Sequence, residues 1–120
     1  MNKPASLQPI LTIDLKKNRI RIHKQTLHLL GDPDYIQLLV NPDARLIAIR
    51  RSIRKDYLAH RVRLVNSICY ELYSRELIQT LQKVHVELKT NKGYRIYGKY
   101  NAKEGIVHFS MDDISELQEE

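Results

Sequence analysis

The sequence predicts an α+β fold, in which an N-terminal β-rich hairpin unit with a short helix is followed by one or two helices and a C-terminal β-hairpin. Three observations predict this fold. Apolar and polar residues alternate in short runs before residue 24, an apolar pattern of helical spacing extends over residues 57–83 without glycine or proline, and alternation returns after Gly93. With 120 residues, the chain is long enough for one compact domain and too short for several.

The first half of the chain, residues 10–56, contains the clearer strand signals. Two prolines in residues 1–9 indicate a flexible arm. Residues 10–13 and 19–22 then predict two strands, and leucines at helical spacing before Gly31 predict a short helix. Two apolar runs, residues 35–40 and 46–49, flank an Asn-Pro-Asp-Ala turn and therefore predict a hairpin.

The second half, residues 57–120, is predicted to form one compact unit with the first. One amphipathic helix is expected from the apolar residues Val62, Val65, Ile68, Cys69 and Leu72, which share a helical face. The next apolar residues lie on a different side, so we expect a break near Ser74, which could cap a second helix; the alternative is one long helix buried on two sides. Residues 84–88 could form a strand, residues 94–100 and 106–111 predict a hairpin, and residues 112–117 predict a closing helical turn. No internal repeat is evident.

The positive charge is concentrated in the N-terminal half. The chain has 20 Lys and Arg against 14 Asp and Glu, a formal charge of +6 and a pI near 9.5. Residues 1–60 contain all of the excess, whereas residues 61–120 sum to zero. Such clusters are typical of proteins that contact phosphates, although a solvated strand face explains them equally well. The candidate nucleic-acid-binding residues are Lys16, Lys17, Arg19, Arg21, Lys24, Arg50, Arg51, Arg54 and Lys55.

Enzymatic and metal chemistry have little support in the sequence. The single cysteine, Cys69, has no partner for an internal disulfide and reads as a small buried hydrophobic residue. The five histidines show no metal-ligand spacing, and neither a phosphate-binding glycine loop nor a nucleophile turn is present. We therefore expect no catalytic residues, no metal and no cofactor. No apolar stretch is long enough to span a membrane, so we expect a cytoplasmic protein without a membrane partner.

Part of the first half resembles a known family of DNA-binding domains. Residues 19–31, followed by Asp34-Tyr35-Ile36 and the hairpin that ends Ile47-Ala48-Ile49-Arg50, resemble the swapped-hairpin domain of AbrB-like transition-state regulators and MazE-type antitoxins. The resemblance covers residues 10–54. His23 stands where this family usually has proline, and Leu27 stands where it usually has an arginine.

The resemblance implies a small bacterial transcriptional regulator. Two chains would interleave their hairpins into a homodimer, because about 45 residues bury too little surface alone. The basic residues would then face double-stranded DNA around a two-fold axis, while residues 57–120 would support the dimer or bind a protein partner. A second hypothesis, consistent with Leu27 in place of the arginine, is a protein-interaction module of related fold that does not bind DNA.

Overall fold

Two antiparallel β-sheets and two helices form the fold of residues 8–118, which are the residues that this computed structural model describes. The helices are α1 (Lys24–Leu29) and α2 (Arg75–Val84), and a 3-10 turn spans Met111–Asp113. The strands are β1 (Ile10–Asp14), β2 (Arg19–His23), β3 (Tyr35–Asn41), β4 (Leu46–Ser52), β5 (His60–Arg61), β6 (Leu64–Val65), β7 (Cys69–Tyr73), β8 (Gly93–Tyr97), β9 (Lys99–Asn101), β10 (Ile106–Ser110) and β11 (Ser115–Glu116).

Strands from both halves of the chain contribute to each sheet. The six-stranded sheet has the order β11-β8-β1-β2-β7-β6, and the five-stranded sheet has the order β5-β3-β4-β10-β9. Strand β2 pairs with β7 and strand β4 pairs with β10, so the middle of each sheet joins the first half to the second. The halves are therefore interleaved and do not form two separate domains.

The core lies between the inner faces of the two sheets and is closed by the helices. Along β2, Ile20 and Ile22 are buried while Arg19 and Arg21 face outward, because successive side chains of a strand point to opposite faces. Ile78 and Leu81 of α2 join the same buried cluster as Ile47 of β4. One continuous apolar core thus holds both halves together.

A glycine lets the chain pass from one sheet to the other. Gly98 separates β8 from β9, and a side chain there would clash, because a Cβ would lie 2.6 Å from the carbonyl oxygen of His108 and 2.7 Å from the ring of Phe109. The N–H of Gly98 donates to the carbonyl of Pro9, which is buried. Strand β1 and the β9–β10 hairpin are therefore fixed close together.

The pairing of β2 with β7 and of β4 with β10 is compatible with a two-fold relation between the halves, here called the pseudo-two-fold, that is not apparent in the sequence. In β2 and β7, Arg21 pairs with Glu71, and the flanking pairs are Ile20 with Leu72 and Ile22 with Tyr70. In β4 and β10 the central pair is Ala48 with His108, flanked by the same kind of reciprocal pairs. Every antiparallel pair of strands is reciprocal in this way, so the registers alone do not fix which residues correspond.

The order of elements and the hairpin turns obey the same relation. The N-terminal unit (residues 10–52) runs β2-α1-β3-β4, and the C-terminal unit (residues 60–110) runs β7-α2-β8-β9-β10. In each unit an asparagine begins the hairpin turn: Asn41 Oδ1 accepts from the N–H of Ala44 at 3.1 Å, and Asn101 Oδ1 accepts from the N–H of Glu104 at 3.2 Å. The next residue has a positive φ in both turns, 56° at Arg45 and 67° at Gly105. The chain therefore contains two structurally related units.

The fold class predicted from the sequence is wrong, because residues 8–118 are 43% strand and 17% helix and contain only one helix of seven residues or more. The predicted helix over the first part of residues 57–83 is instead the β5, β6 and β7 region. Asn66 and Ser67 have φ values of 53° and 56°. Two consecutive left-handed residues make a tight hairpin turn and interrupt a helix. The face attributed to a helix is therefore divided between two strands and their turn.

Other local predictions agree with the structure in part. Ser74 does cap a helix, since its Oγ accepts from the N–H of Leu77 at 3.1 Å. The hairpin at residues 35–49 and the short helix before Gly31 are also confirmed. Residues 84–88 form no strand, Gly98 divides the predicted run at 94–100, and residues 112–117 contain a 3-10 turn and β11. Of the predicted arm, residues 1–7 lie outside the described part of the chain.

The structure also removes the reason for expecting an obligatory homodimer. That expectation assumed that residues 10–54 needed a second copy to complete their sheets. Strands β2 and β4 instead pair with β7 and β10 of the same chain. The C-terminal unit thus completes the core that a second copy was expected to complete.

Candidate nucleic-acid interface

The outer face of the six-stranded sheet carries a row of polar side chains. Thr12 pairs with Arg21 on one side and with Arg95 on the other, and Arg21 pairs in turn with Glu71. Directly paired residues of an antiparallel sheet lie on the same face. Their neighbours along each strand are buried in the core, except the half-buried Tyr70, so this row, which we call the central row, faces away from it. The central row consists of Arg95, Thr12, Arg21 and Glu71.

Arg19 and Arg21 share one carboxylate on this face. Oε2 of Glu71 lies 3.0 Å from Nη1 of Arg19 and 3.0 Å from Nε of Arg21. Arg19 also donates from Nη2 to Oδ2 of Asp14 at 2.8 Å, and Tyr73 donates its hydroxyl hydrogen to Oε1 of Glu71 at 3.2 Å. The side chain of Arg19 is 15% exposed, whereas that of Arg21 is 40% exposed. Arg19 is therefore held in a network, and Arg21 remains open to a ligand.

The β1–β2 turn presents two exposed lysines beside this network. Oδ1 of Asp14 accepts from the backbone N–H groups of Lys16 and Lys17 at 3.1 and 3.3 Å, and Asn18 completes the turn with a φ of 51°. This side-chain-to-backbone pattern is a stable way to form a turn. It fixes the backbone of the turn while both lysine side chains stay in solvent.

A groove runs along this face between the β1–β2 turn and the C-terminal segment. Its volume is about 250 Å³. Lys92, whose Nζ lies 3.7 Å from Oε1 of Glu116, contributes a further cation. The groove is lined by Thr12, Asp14, Lys16, Arg19, Arg21, Asn91, Lys92, Gly93, Leu117 and Gln118.

Three arginine Nε atoms on this face are buried without a hydrogen-bond acceptor among residues 8–118: those of Arg19, Arg21 and Arg95. The Nε of Arg21 is close to Glu71 as an ion pair, but it does not form a hydrogen bond with it. A buried N–H group without an acceptor is uncommon in folded proteins. The face therefore has more donor capacity than the described residues use.

His23 lies at the edge of this group. Its Nε2 is 3.0 Å from the Oγ1 of Thr12. Burial lowers the pKa of His23, and the nearby charges of Arg95 and Arg21 lower it further. The imidazole is therefore neutral at pH 7, and the positive charge here comes from the arginines.

The second basic cluster does not join the first. Arg50 pairs with Gln37 and Ile106 on the outer face of the five-stranded sheet, across the core from Arg19 and Arg21. Its Nε donates to Oε1 of Gln37 at 2.9 Å. The guanidinium of Arg51 lies over Gly31, after α1.

Arg54 and Lys55 are exposed in the loop after β4. That loop is held by Asp56, whose pKa is lowered by a hydrogen bond from the Ser52 hydroxyl and another from the N–H of Ile53. Lys24, the last of the candidate residues, is exposed at the start of α1. The candidate residues are thus divided between two surfaces.

Alternative chemistry has no centre in the described part of the molecule. Residues 8–118 contain no group of three His, Cys, Asp or Glu side chains arranged to hold a metal ion. Cys69 is 2% exposed, which agrees with its expected role as a small buried residue, although it lies on β7 and not on a helix. Neither helix within residues 8–118 is long and apolar enough to cross a membrane.

Comparison of the chain with protein-family models, with curated proteins and with solved structures gives no match.

Sequence reasoning missed several residues of this surface. Arg95 alternates with the buried Tyr94 and Ile96, as Arg21 alternates with Ile20 and Ile22, and this shared pattern was the available signal. What the sequence could not show is that β8 pairs with β1, which brings Arg95 beside Thr12. Lys92 and Glu71 were missed for the same reason.

Proposed function

We propose that this protein is a small regulator that binds double-stranded DNA through the outer face of its six-stranded sheet. The observation that carries the proposal is the excess of positive charge on this face, where six cationic residues lie beside three acidic residues. Phosphate groups of a duplex release counterions when cationic side chains neutralise them, which favours binding. The acidic residues are Asp14, Glu71 and Glu116, and the cationic residues are Lys16, Lys17, Arg19, Arg21, Lys92 and Arg95.

The resemblance to AbrB-like and MazE-type domains also supports the proposal. The N-terminal unit has the order β1-β2-α1-β3-β4, with interleaved hairpins, as that family would require. In the family arrangement two copies surround the two-fold axis. Here we propose that one chain supplies both units, so that a monomer is the DNA-binding species.

Contact with the duplex would be one-sided. The N-terminal half carries the whole excess of positive charge, since residues 1–60 sum to +6 and residues 61–120 sum to zero. On the proposed face, Arg21 of one unit pairs with the acidic Glu71 of the other. A symmetric dimer presents two equal half-sites, whereas this chain presents one.

The experiment that tests this function is fluorescence anisotropy of a labelled random duplex at several salt concentrations. Counterion release predicts that the logarithm of the binding constant falls with the logarithm of salt by about 0.9 for each phosphate contacted. A slope that corresponds to several contacts, together with one chain per short duplex, is the expected result. An absence of binding at low salt would contradict the proposal.

A second candidate function is a protein-interaction module, and a separate observation favours it. The segment from β4 to β7 exposes several large apolar side chains, among them Tyr57 at 83% and Leu58 at 67%. Apolar clusters of this kind often mark interaction surfaces. The others are Ile53, Leu64, Val65 and Ile68.

A pull-down with wild-type protein and with Tyr57→Ser/Leu58→Ser would test this candidate. A stoichiometric protein partner that withstands nuclease treatment and is lost with the double variant would support the module. Retention of that partner by the double variant would exclude this surface.

A further inference from the structure

The central row contains a small site that basic composition alone does not indicate. Arg95 and Arg21 flank Thr12 on the two neighbouring strands. Adjacent strands lie about 4.8 Å apart, so the Cα atoms of the two arginines are separated by about 10 Å. This separation leaves room for one tetrahedral anion above the threonine, in contact with both guanidinium groups.

The charge balance at this position favours an anion. Arg95 forms no ion pair with any carboxylate among residues 8–118. Arg21 shares its only carboxylate, Glu71, with Arg19. Three guanidinium groups therefore have two neighbouring carboxylates, Glu71 and Asp14. Because neither pairs with Arg95, the excess of positive charge lies at Arg95.

Arg95 has an unused donor at this position. Its Nε is buried without a hydrogen-bond acceptor in the described part of the chain, whereas the Nε of Arg21 lies 3.0 Å from Oε2 of Glu71. An arginine presents its N–H groups in a planar fork that suits the oxygens of phosphate. Thr12 and His23, 3.0 Å apart between Oγ1 and Nε2, add polar groups between the two forks.

From this geometry we propose that Arg95, Thr12 and Arg21 form a binding site for a phosphate group, which we call the phosphate site. The assignment of a backbone phosphate of DNA as its occupant rests on the proposed function. The chemistry of the site would equally suit a free phosphate or the phosphates of a nucleotide, and the test separates these sources. His23 is the reporter, because an anion beside it would change its chemical environment.

The test combines duplex binding with NMR of the His23 imidazole in phosphate-free buffer. Wild-type protein, Arg95→Gln and the control Lys99→Gln are compared; Lys99 is exposed on β9 and its replacement changes the charge equally. Inorganic phosphate and pyrophosphate are the free probes. We expect Arg95→Gln to weaken duplex binding about tenfold or more, as loss of a charge-assisted hydrogen bond should, and Lys99→Gln to have little effect.

The wild-type NMR titration keeps the test decisive even if Arg95→Gln fails to fold. Saturable shifts of His23 with phosphate, absent in folded Arg95→Gln, support the site. If the wild type binds the duplex, Arg95→Gln binds it equally well and phosphate leaves His23 unshifted, the phosphate site is wrong while the proposed function stands. If phosphate binds at His23 but the duplex does not bind, the site holds a free phosphate and the proposed function fails. If neither binds, both are overturned.

Discussion

The two units of this chain share a fold but differ in surface chemistry. Both have a strand, a helix and a hairpin in the same order, and both hairpin turns begin with an asparagine. The inner residues are alike, since Ile36 of β3 and Ile96 of β8 are both fully buried. The outer residues are not, because Arg21 faces Glu71 across the pseudo-two-fold. The core thus preserves the repeat, while the two units differ in surface charge.

The largest expected effect tests whether the units contribute equally to the core. Ile36→Ala and Ile96→Ala should each lower the free energy of unfolding by about 2–5 kcal/mol, because each removes buried methyl groups and leaves a cavity. Urea denaturation of both variants, with the 42% exposed Leu39 replaced by alanine as a control, measures this. A large loss for Ile36→Ala with almost none for Ile96→Ala would mean that the C-terminal unit is not part of one cooperative core.

A smaller effect should come from the contact between the units on the outer face. Glu71→Gln removes the carboxylate that pairs with Arg19 and Arg21. We expect the free energy of unfolding to fall by about 1–3 kcal/mol. Duplex affinity at low salt should rise a few-fold, since two arginines are released toward the phosphates.

Glu104→Gln is the matched control for charge, because Glu104 is exposed and forms no ion pair among residues 8–118. Chemical denaturation and duplex anisotropy are the two measurements. If Glu71→Gln weakened duplex binding in a folded protein, the neutralising role assigned to Glu71 would be wrong.

The helix starts provide a third contrast. Ser74 caps α2 through its side chain, whereas His23, at the start of α1, makes no side-chain capping bond. Ser74→Ala should therefore lower the free energy of unfolding by about 1 kcal/mol. Gln79→Ala, at an exposed position of the same helix, should change it by less than about 0.5 kcal/mol. Equal effects of the two substitutions, measured by thermal denaturation, would exclude a role for the cap.

The smallest effect is a pH dependence from the partly buried histidines of the two units. Burial lowers the pKa of His60, and burial with the charges of Arg95 and Arg21 lowers that of His23, from an ordinary value of 6.5. A lowered pKa means that the unfolded chain binds more protons near this pH. The neutral forms of the two histidines therefore contribute fully to the free energy of unfolding above about pH 6.5, and this contribution is lost as the pH falls through that value.

Denaturation midpoints between pH 7.5 and 5.5 measure this dependence, and His23→Gln should reduce it. The carboxylates titrate mainly at lower pH. A midpoint that stays constant or rises toward pH 5.5 would show that protonation of these histidines does not destabilise the folded protein.

Local chemistry explains what the sequence could predict. The turn at Asn41, the cap at Ser74 and the short helix before Gly31 depend on neighbouring residues, and all three were predicted. Residues 57–73 were not, because the spacing of Val62, Val65, Cys69 and Leu72 fits a helix as well as two strands joined by a turn. The two left-handed residues between those strands decide the outcome.

The candidate site was predictable only in its N-terminal part. Lys16, Lys17, Arg19 and Arg21 are close in sequence, so their clustering could be read directly. Glu71 and Arg95 meet them only through pairing of strands that are distant in the chain. Such pairing depends on the whole core, which no local pattern encodes.

One measurement tests the one-sided DNA-binding surface most directly. The variant Lys16→Glu/Lys17→Glu reverses two exposed charges in the N-terminal unit, and Lys99→Glu/Lys103→Glu reverses two exposed charges in the C-terminal unit. Salt-dependent anisotropy with one labelled duplex should show that the first variant loses affinity by about tenfold or more and has a salt slope smaller by about 2, because two phosphate contacts are lost. The second variant should lose only a few-fold. Equal losses would show that net charge alone governs binding and would contradict a surface confined to the outer face of the six-stranded sheet.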